Sequence, residues 1–387
     1  MEPQDNADPT ATAEEPATLL VSFELSQKSW VLTVQQPHSA KLSRLTVAAR
    51  ETAQVLGLLT KHRQQAEQRI GRPVRIVSIY EAGLDGFWLH RWLTAQAIDS
   101  HVVDPASILG PQRRRNAKSD RIDGEKLVRS LACWLAGDRR ACTMVVPPSA
   151  AHEDSRRLSR ERDELVRERN RLSNRIGGLL ANQGIAGFKP MQKDALATLE
   201  TLRTGDGQAL MANLKASIER MLRRLALLKD QIKAVEAERD RLLHAPEAEA
   251  TEDIAMAQLL FRLRALGPEF ATVLPAECLY KRFDNCRQLG AFAGLAPTPW
   301  QSGGIEREQG ISKAGNRRLR KTMIELAWSW TMYQPGSALT RWFNQKVAGQ
   351  GKRVRRIAIV ALARKLLVAL WRYVHQGVVP EGAVLKG

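Results

Sequence analysis

The chain has 387 residues, with 59 Lys and Arg against 41 Asp and Glu, for a formal net charge of +18. That length suits two or three domains, and a hydrophobic fraction of 44% excludes a chain that is mostly disordered. The basic balance favours a polyanionic partner, nucleic acid first, and the lack of any run of about 20 apolar residues excludes a helical membrane span.

Residues 1–17, "MEPQDNADPTATAEEPA", are acidic, rich in Pro and Ala, and poor in bulky apolar side chains. They read as a disordered tail. No basic segment followed by an apolar run marks them as a secretory signal, so a cytoplasmic protein is expected. The four cysteines, Cys133, Cys142, Cys278 and Cys286, form no C-x-x-C pair. Buried thiols are expected rather than zinc ligands or disulfides.

Residues 18–150 read as an α/β domain. Three short β-branched stretches, "TLLVSFEL", "SWVLTVQ" and "KLSRLTV", are separated by turn residues. Val55, Leu58, Leu59, Ala66 and Ile70 then recur at helical spacing. "VRIVSIY" is an apolar run of the kind found in a central strand covered on both faces. "LDGFWLHRWLTAQ" reads as a helix, "SHVVD" as a strand, and Asp120 to Ala136 as a further helix. Three strands, helix, strand, helix, strand, helix is the order of a mixed sheet with helices packed on it.

Residues 151–250 change character. Leu158, Leu165, Leu172 and Leu179 are seven apart, with charge between them. That heptad pattern and a second long periodic stretch over 209–244 predict two helices packed as an antiparallel coiled-coil arm. Residues 251–387 read as a mainly helical domain. "LLFRLRALGPEFATVLPAECL" has the form of a helix-hairpin-helix, with Ala265 where such hairpins usually have Gly. A Gly-rich loop, "GLAPTPWQSGGIEREQGISKAGNRRLR", follows, and then further helices. The last of these is interrupted by Arg364, Lys365 and Arg372, so it reads as a core helix.

Four acidic positions stand where such a sheet would gather them. Glu24 is in the first strand, Glu81 directly follows the central strand, and Asp120 and Asp123 open a helix. Residues i and i+3 are about 60° apart on a helix, so both aspartates can face one point. Clustered carboxylates resist ionisation unless a cation is present. Mg²⁺ takes oxygen ligands and also binds phosphate oxygens. Each acid alone fits a helix cap equally well, and Asp85 and Asp104 lie equally near element ends.

The segments "VSFELSQKSWVL", "IYEAG" and "KSDRIDGEKL" resemble the three acidic motifs of the DEDD transposases of bacterial insertion sequences, the insertion sequence 110 family. "LGAFAGLAPTPWQSGG" with "GISKAGNRRLR" is similar to that family's C-terminal transposase domain. The resemblance spans roughly residues 19–375. It implies an N-terminal RuvC-like domain of the RNase H type, a coiled-coil arm and a helical transposase domain. It also implies a metal-binding tetrad of Glu24, Glu81, Asp120 and Asp123. The family usually has Asp in the first strand, and the extra methylene of Glu24 moves its carboxylate by about 1.5 Å.

Ser302, in "PWQSGG", precedes two glycines that permit close approach of a substrate backbone. On spacing alone it is either a turn serine or a nucleophile in need of activation, with Ser312 as a rival. The resemblance implies that Ser302 is the nucleophile, forming a covalent link to a DNA end. Lys313, Arg317, Arg318, Arg320 and Lys321 follow it, and such a cluster suits phosphate contacts. The resemblance further implies Mg²⁺, donor and target DNA, a structured guide RNA (the bridge RNA) that reads sequence by base pairing, and a dimer or tetramer. Two other readings share this fold: a metal-dependent junction nuclease with no covalent serine step, and an inactive nucleic-acid-binding remnant.

Overall fold

A computed structural model describes residues 16–83, 86–108, 120–246, 248, 250–302 and 305–386; for 120–122, 299–302 and 305–309 it describes the backbone alone. The expected tail, 1–17, lies outside these residues except at its end, where the first strand begins. The chain divides into two units, Met1–Pro148 and Ser149–Gly387.

The first unit is a six-stranded mixed sheet with helices on both faces. Its elements run β1 (Ala17–Leu25), β2 (Ser29–Gln35), β3 (Leu42–Ala48), α1 (Thr52–Ile70), β4 (Val74–Glu81), α2 (Trp88–Ala95), β5 (Asp99–Val103), α3 (Asp120–Leu135) and β6 (Met144–Val145). The strand order is β3-β2-β1-β4-β5-β6. The first three strands form an antiparallel meander, β4 and β5 lie parallel to β1, and β6 pairs antiparallel with β5. Helix α1 stops at Gly71, whose φ of 72° allows the left-handed turn that caps it.

Side-chain alternation divides the sheet cleanly. Leu19, Val21 and Phe23 of β1 and Ile76 and Tyr80 of β4 pack with Val55, Leu59, Leu89 and Leu93 of α1 and α2. Val77 and Ile79 of β4 turn the other way, onto Leu127 and Leu131 of α3. The run "VRIVSIY" is thus covered on both faces, as its uninterrupted apolar character predicts. Each such fully buried large side chain contributes about 1.5–3 kcal/mol.

The second unit is predominantly helical. It contains α4 (Ala150–Ser155), α5 (Arg157–Ala181), α6 (Ala195–Thr201), α7 (Ala212–Leu243), α8 (Glu252–Phe261), α9 (Pro268–Leu274), a π-helical turn (Pro275–Leu279) and α10 (Cys286–Phe292). A hairpin of β7 (Pro297–Ser302) and β8 (Ile305–Ile311) follows, then α11 (Arg317–Tyr333), α12 (Ala338–Val347) and α13 (Lys352–Gln376). Leu172, Ile176 and Leu180 of α5 pack on Leu199 of α6 and on Ile218, Leu222 and Leu225 of α7. The ion pairs Arg162–Glu236 and Glu168–Arg224 climb α5 while descending α7, so the two helices are antiparallel. A second core gathers Leu260, Leu274, Leu326, Trp330, Leu362, Leu366 and Leu370 from α8 through α13.

The segment expected to be a Gly-rich loop is instead built around an antiparallel hairpin. Two prolines in β7 and Gly310 in β8 carry loop signals, yet an isolated two-stranded ribbon has free edges on which a missing N–H costs nothing. Helix α13 is a core helix, and among the described residues no helix is long and apolar enough to cross a membrane.

Candidate active site and its relatives

The register of the sheet brings Glu24 and Glu81 together. Phe23 pairs with Tyr80 in the parallel ladder of β1 and β4, so the next residues, Glu24 and Glu81, leave the two strands side by side at their C-terminal ends. Both follow the alternation of the α3 face, since Glu24 is two residues from Ser22 and Glu81 two from Ile79. Helix α3 closes over them. The Ser22 hydroxyl donates to the Gly124 carbonyl at 3.0 Å. A Cβ added to Gly124 would lie 2.5 Å from Oε1 of Glu24 and would collide with Oγ1 of Thr33. Only a glycine lets the helix pass this close to the strand end.

A cleft of about 310 Å³ results, lined by Glu24, Glu81 and Asp123 together with Phe23, Tyr80 and Leu127. Lys126, one turn along α3, pairs with Asp123 at 3.5 Å. Asp120 opens the same helix three residues upstream, and its side chain lies outside the described residues. Among the described residues, no three His, Cys, Asp or Glu side chains gather closely enough to hold a metal ion by themselves. Three of the groups that line the cleft are carboxylates, whose oxygens Mg²⁺ takes, and Ser26, Gln27, Ser29 and Tyr80 line it beside them. Asp104 is used otherwise: its carboxylate accepts from the Ala106 amide and caps a short 3₁₀ turn. Asp85 lies outside the described residues.

In the second unit, Ser302 is the last residue of β7, opposite Ile305 across the hairpin turn. Its side chain, and the whole of Gly303 and Gly304, lie outside the described residues. Ser312 sits at the root instead, where its amide donates to the Ala296 carbonyl at 2.9 Å. The root is a close approach of two backbones. Gly315, at φ 96°, and Gly294, at φ 65°, both lie where a Cβ would strike backbone carbonyls, those of Ala291 and Phe292 and that of Ala314. Asn316 seals the contact: its amide donates to the Phe292 carbonyl at 2.7 Å and its side chain caps α11 by accepting from the Leu319 amide.

Beneath this root lies a buried ionic cluster. Glu277, 3% exposed, accepts two hydrogen bonds from Arg160, at 2.8 and 3.1 Å, and one from the Asn316 side-chain amide at 3.1 Å. Burial opposes ionisation of Glu277, but the Arg160 hydrogen bonds and charge, the Asn316 amide and the Arg156 charge outweigh it and hold its carboxyl below its ordinary value. Glu269 nearby is shifted the other way: burial pushes its carboxyl up despite the cations of Arg162, Arg239 and Arg318.

The five basic residues after the serine divide by environment. Arg318 turns into the ionic cluster, donating to the Ser159 carbonyl at 2.7 Å and pairing with Asp163 at 3.2 Å. Arg320 is half-buried and donates to the Lys313 carbonyl at 2.9 Å. Lys313, Arg317 and Lys321 are exposed, and Lys321 lies 3.8 Å from Glu325.

Sequence reasoning passed over Gly124, Glu277 and Arg160. An isolated glycine inside a helical pattern is the signal that marks Gly124, and a lone acid in the apolar run "LPAECL" marks Glu277. Nothing in the sequence pairs Glu277 with Arg160, 117 residues away.

Comparison with known proteins identifies the family. Residues 257–341, which include the hairpin, its root and Glu269 and Glu277 of the buried cluster, match the family model described as Transposase IS116/IS110/IS902 family. Along 98% of its length the chain is 50% identical to the putative transposase y4rJ of Sinorhizobium fredii, covering 97% of that protein. It is 30% identical to a probable family 20 transposase of Pseudomonas aeruginosa, over 73% of this chain and 80% of that one. It is 25% identical to the transposase for insertion sequence element IS1328 of Yersinia enterocolitica, over 94% and 99%. The chain belongs to the IS116/IS110/IS902 family of transposases.

Proposed function

We propose that this transposase mobilises an insertion sequence by cutting and exchanging DNA strands, with the carboxylate cleft of its first unit and the serine hairpin of its second as its two chemical elements. The observation that carries the reading is the cleft itself: acids from β1, β4 and α3, 99 residues apart in sequence at the extremes, line one cavity. The order β3-β2-β1-β4-β5, with only β2 antiparallel to its neighbours, supports a RuvC-like fold of the RNase H type. Glu24, Glu81, Asp120 and Asp123 would hold Mg²⁺. When bound, the metal supplies Lewis-acid polarisation of a phosphodiester and neutralises charge on a leaving oxygen.

The chain's own residues do the rest. Glu24 is positioned by the missing Cβ of Gly124, and Lys126 holds Asp123 by charge while leaving the cleft open. Ser302, at the end of β7, would attack a DNA phosphate, its Oγ–P bond forming as the P–O bond to the 3′ oxygen breaks and that oxygen leaves as a 3′ hydroxyl; in strand transfer a 3′ hydroxyl displaces Ser302 in turn and restores its own hydroxyl. Lys313, Arg317 and Lys321, exposed at and beyond the hairpin root, contact phosphates. Strand exchange needs several cuts, so two or four copies act together. A structured guide RNA supplies sequence choice by base pairing; the family resemblance and the net charge of +18 support that partner.

Trapping the adduct tests this reading. The protein is incubated with its copurifying RNA, DNA carrying the element ends, and Mg²⁺, then denatured and resolved for protein-linked DNA. Wild type gives the adduct, Ser302→Ala gives none, and Glu81→Gln gives neither adduct nor cut strand. Cut strands from wild type without any adduct would remove the serine step and leave a metal-dependent nuclease.

A further inference from the structure

We propose that the outer face of α13 is a binding track for the phosphodiester backbone of a nucleic acid. The track lies beyond residue 341, where the family model match ends, and it does not depend on which residues cut DNA. Helix α13 contains seven Lys and Arg in 25 residues and no Asp or Glu. Among the described residues none of the seven forms an ion pair. Helix α7 is different, with five Asp and Glu beside its eight Lys and Arg. There Arg223 pairs with Glu219, Arg224 with Glu168 of α5, and Arg241 with Glu238. Most cations on α7 are paired within the fold, and those on α13 are left for something outside it.

The placement also costs stability. Lys352, Arg353, Arg355 and Arg356 fill the opening of the helix, where the macrodipole disfavours cations. One side of α13 is committed to the core through Ala358, Ile359, Leu362, Ala363, Leu366 and Leu370. At 100° per residue, Arg353, Arg364, Lys365 and Arg372 fall within about 120° of one another on the opposite side, along about 28 Å of helix. Several successive phosphates fit that length.

Two of the track's cations are held in place, and a third cation at the helix opening is too. The Arg364 side chain crosses Gly290, where a Cβ would stand 3.1 Å from its Nε. Lys365 Nζ lies 4.8 Å above the Trp342 ring, and the Arg355 guanidinium 5.4 Å from the Trp328 ring. Stems resting on glycine and aromatic faces lose less freedom on binding an anion than free side chains do.

The experiment measures binding, not cleavage, so it fails or succeeds apart from the chemistry proposed above. Affinity of the full chain is followed against salt concentration for a DNA duplex, a DNA single strand and an RNA of one length. Wild type is compared with the triple variant Arg353→Gln, Lys365→Gln, Arg372→Gln. The slope of log affinity on log salt should shrink by about 2–3, since each lost phosphate contact removes about 0.7–0.9. The loss should be uniform across sequences. The partner whose slope changes, DNA or RNA, is the occupant of the track. A second variant, Arg353→Lys with Arg372→Lys, keeps the charge and should keep the slope. The control triple Arg223→Gln, Arg224→Gln, Arg241→Gln should leave it unchanged. An unaltered slope in the α13 triple, or an equal loss in the control, overturns the proposal.

Discussion

The hydroxyl of Ser22 donates to the carbonyl oxygen of Gly124 across 3.0 Å, joining β1 to the helix that begins with Asp120 and Asp123. With the packing of Leu127 and Leu131 on β4, this bond holds α3 where a glycine Cα rests against Glu24 and Thr33. The acids on the strand ends and the acids on the helix are therefore not independently placed, and the junction between them can be tested apart from the acids themselves.

Gly124→Ala should lift α3 from the strand. The added methyl meets the Thr33 side chain and Glu24 Oε1, and overpacking of this kind costs about 1–3 kcal/mol. Melting temperature should fall and Mg²⁺-dependent strand cutting should drop about 100-fold, with DNA affinity retained. Thr33→Ala in the same chain should recover part of the loss in both measurements.

Glu24→Asp restores the residue usual in the family, yet it should weaken this protein. The cradle at Gly124 is filled by the longer side chain, and the shorter one withdraws its carboxylate by about 1.5 Å. The Mg²⁺ concentration for half-maximal cutting should rise about 10-fold, with melting temperature unchanged. An unchanged Mg²⁺ requirement would show that the first strand contributes little to metal binding.

Ala265→Gly should stabilise the chain. Ala265 sits at φ 80°, in the left-handed region that costs a residue with a Cβ about 1–2 kcal/mol. Glycine removes that strain and gives back part of it in unfolded-chain entropy. The net gain should be about 1 kcal/mol, seen as a rise of a few degrees in the melting of the second unit.

Glu277 makes stability depend on acid. Its folded carboxyl is held below the ordinary value of 4.5, so its contribution is fully present above that pH and is lost as pH falls through the lowered folded value. Glu277→Gln should cost about 2 kcal/mol at neutral pH, less than a fully buried pair because Arg160 is half exposed. Denaturant unfolding of both proteins between pH 7 and pH 3 should show the gap closing at the acid end.

Much of the fold was legible from residue order. The doubly covered β4 and the helix opening at Asp120 follow from apolar periodicity, and the structure places both as read. The heptad leucines fare less well: α5 is a long helix, but of Leu158, Leu165, Leu172 and Leu179 only Leu172 is buried, and Ile176 and Leu180 complete its packed face at helical spacing. Glu24 and Glu81 were legible because a strand end is where a sheet gathers side chains. The hairpin was not, because Pro297, Pro299 and Gly310 carry the local signals of a loop while its pairing depends on long-range backbone geometry. The sequence reads Arg318 as one of five cations suited to phosphate contacts. Only the fold shows that Asp163 and Ser159, more than 150 residues earlier, claim its guanidinium.

The hairpin of β7 and β8 enters and leaves the helical body at one weld, where Asn316 meets Phe292 and Ser312 meets Ala296. It is therefore a cantilever with Ser302 at its free end. Over a strand of about 18 Å, a tilt of about 10° at the root displaces the tip by about 3 Å, the whole length of a reacting contact. Such a lever demands a stiff root. Two glycines that let backbone touch backbone, and a buried carboxylate that grips the cap of α11, supply that stiffness.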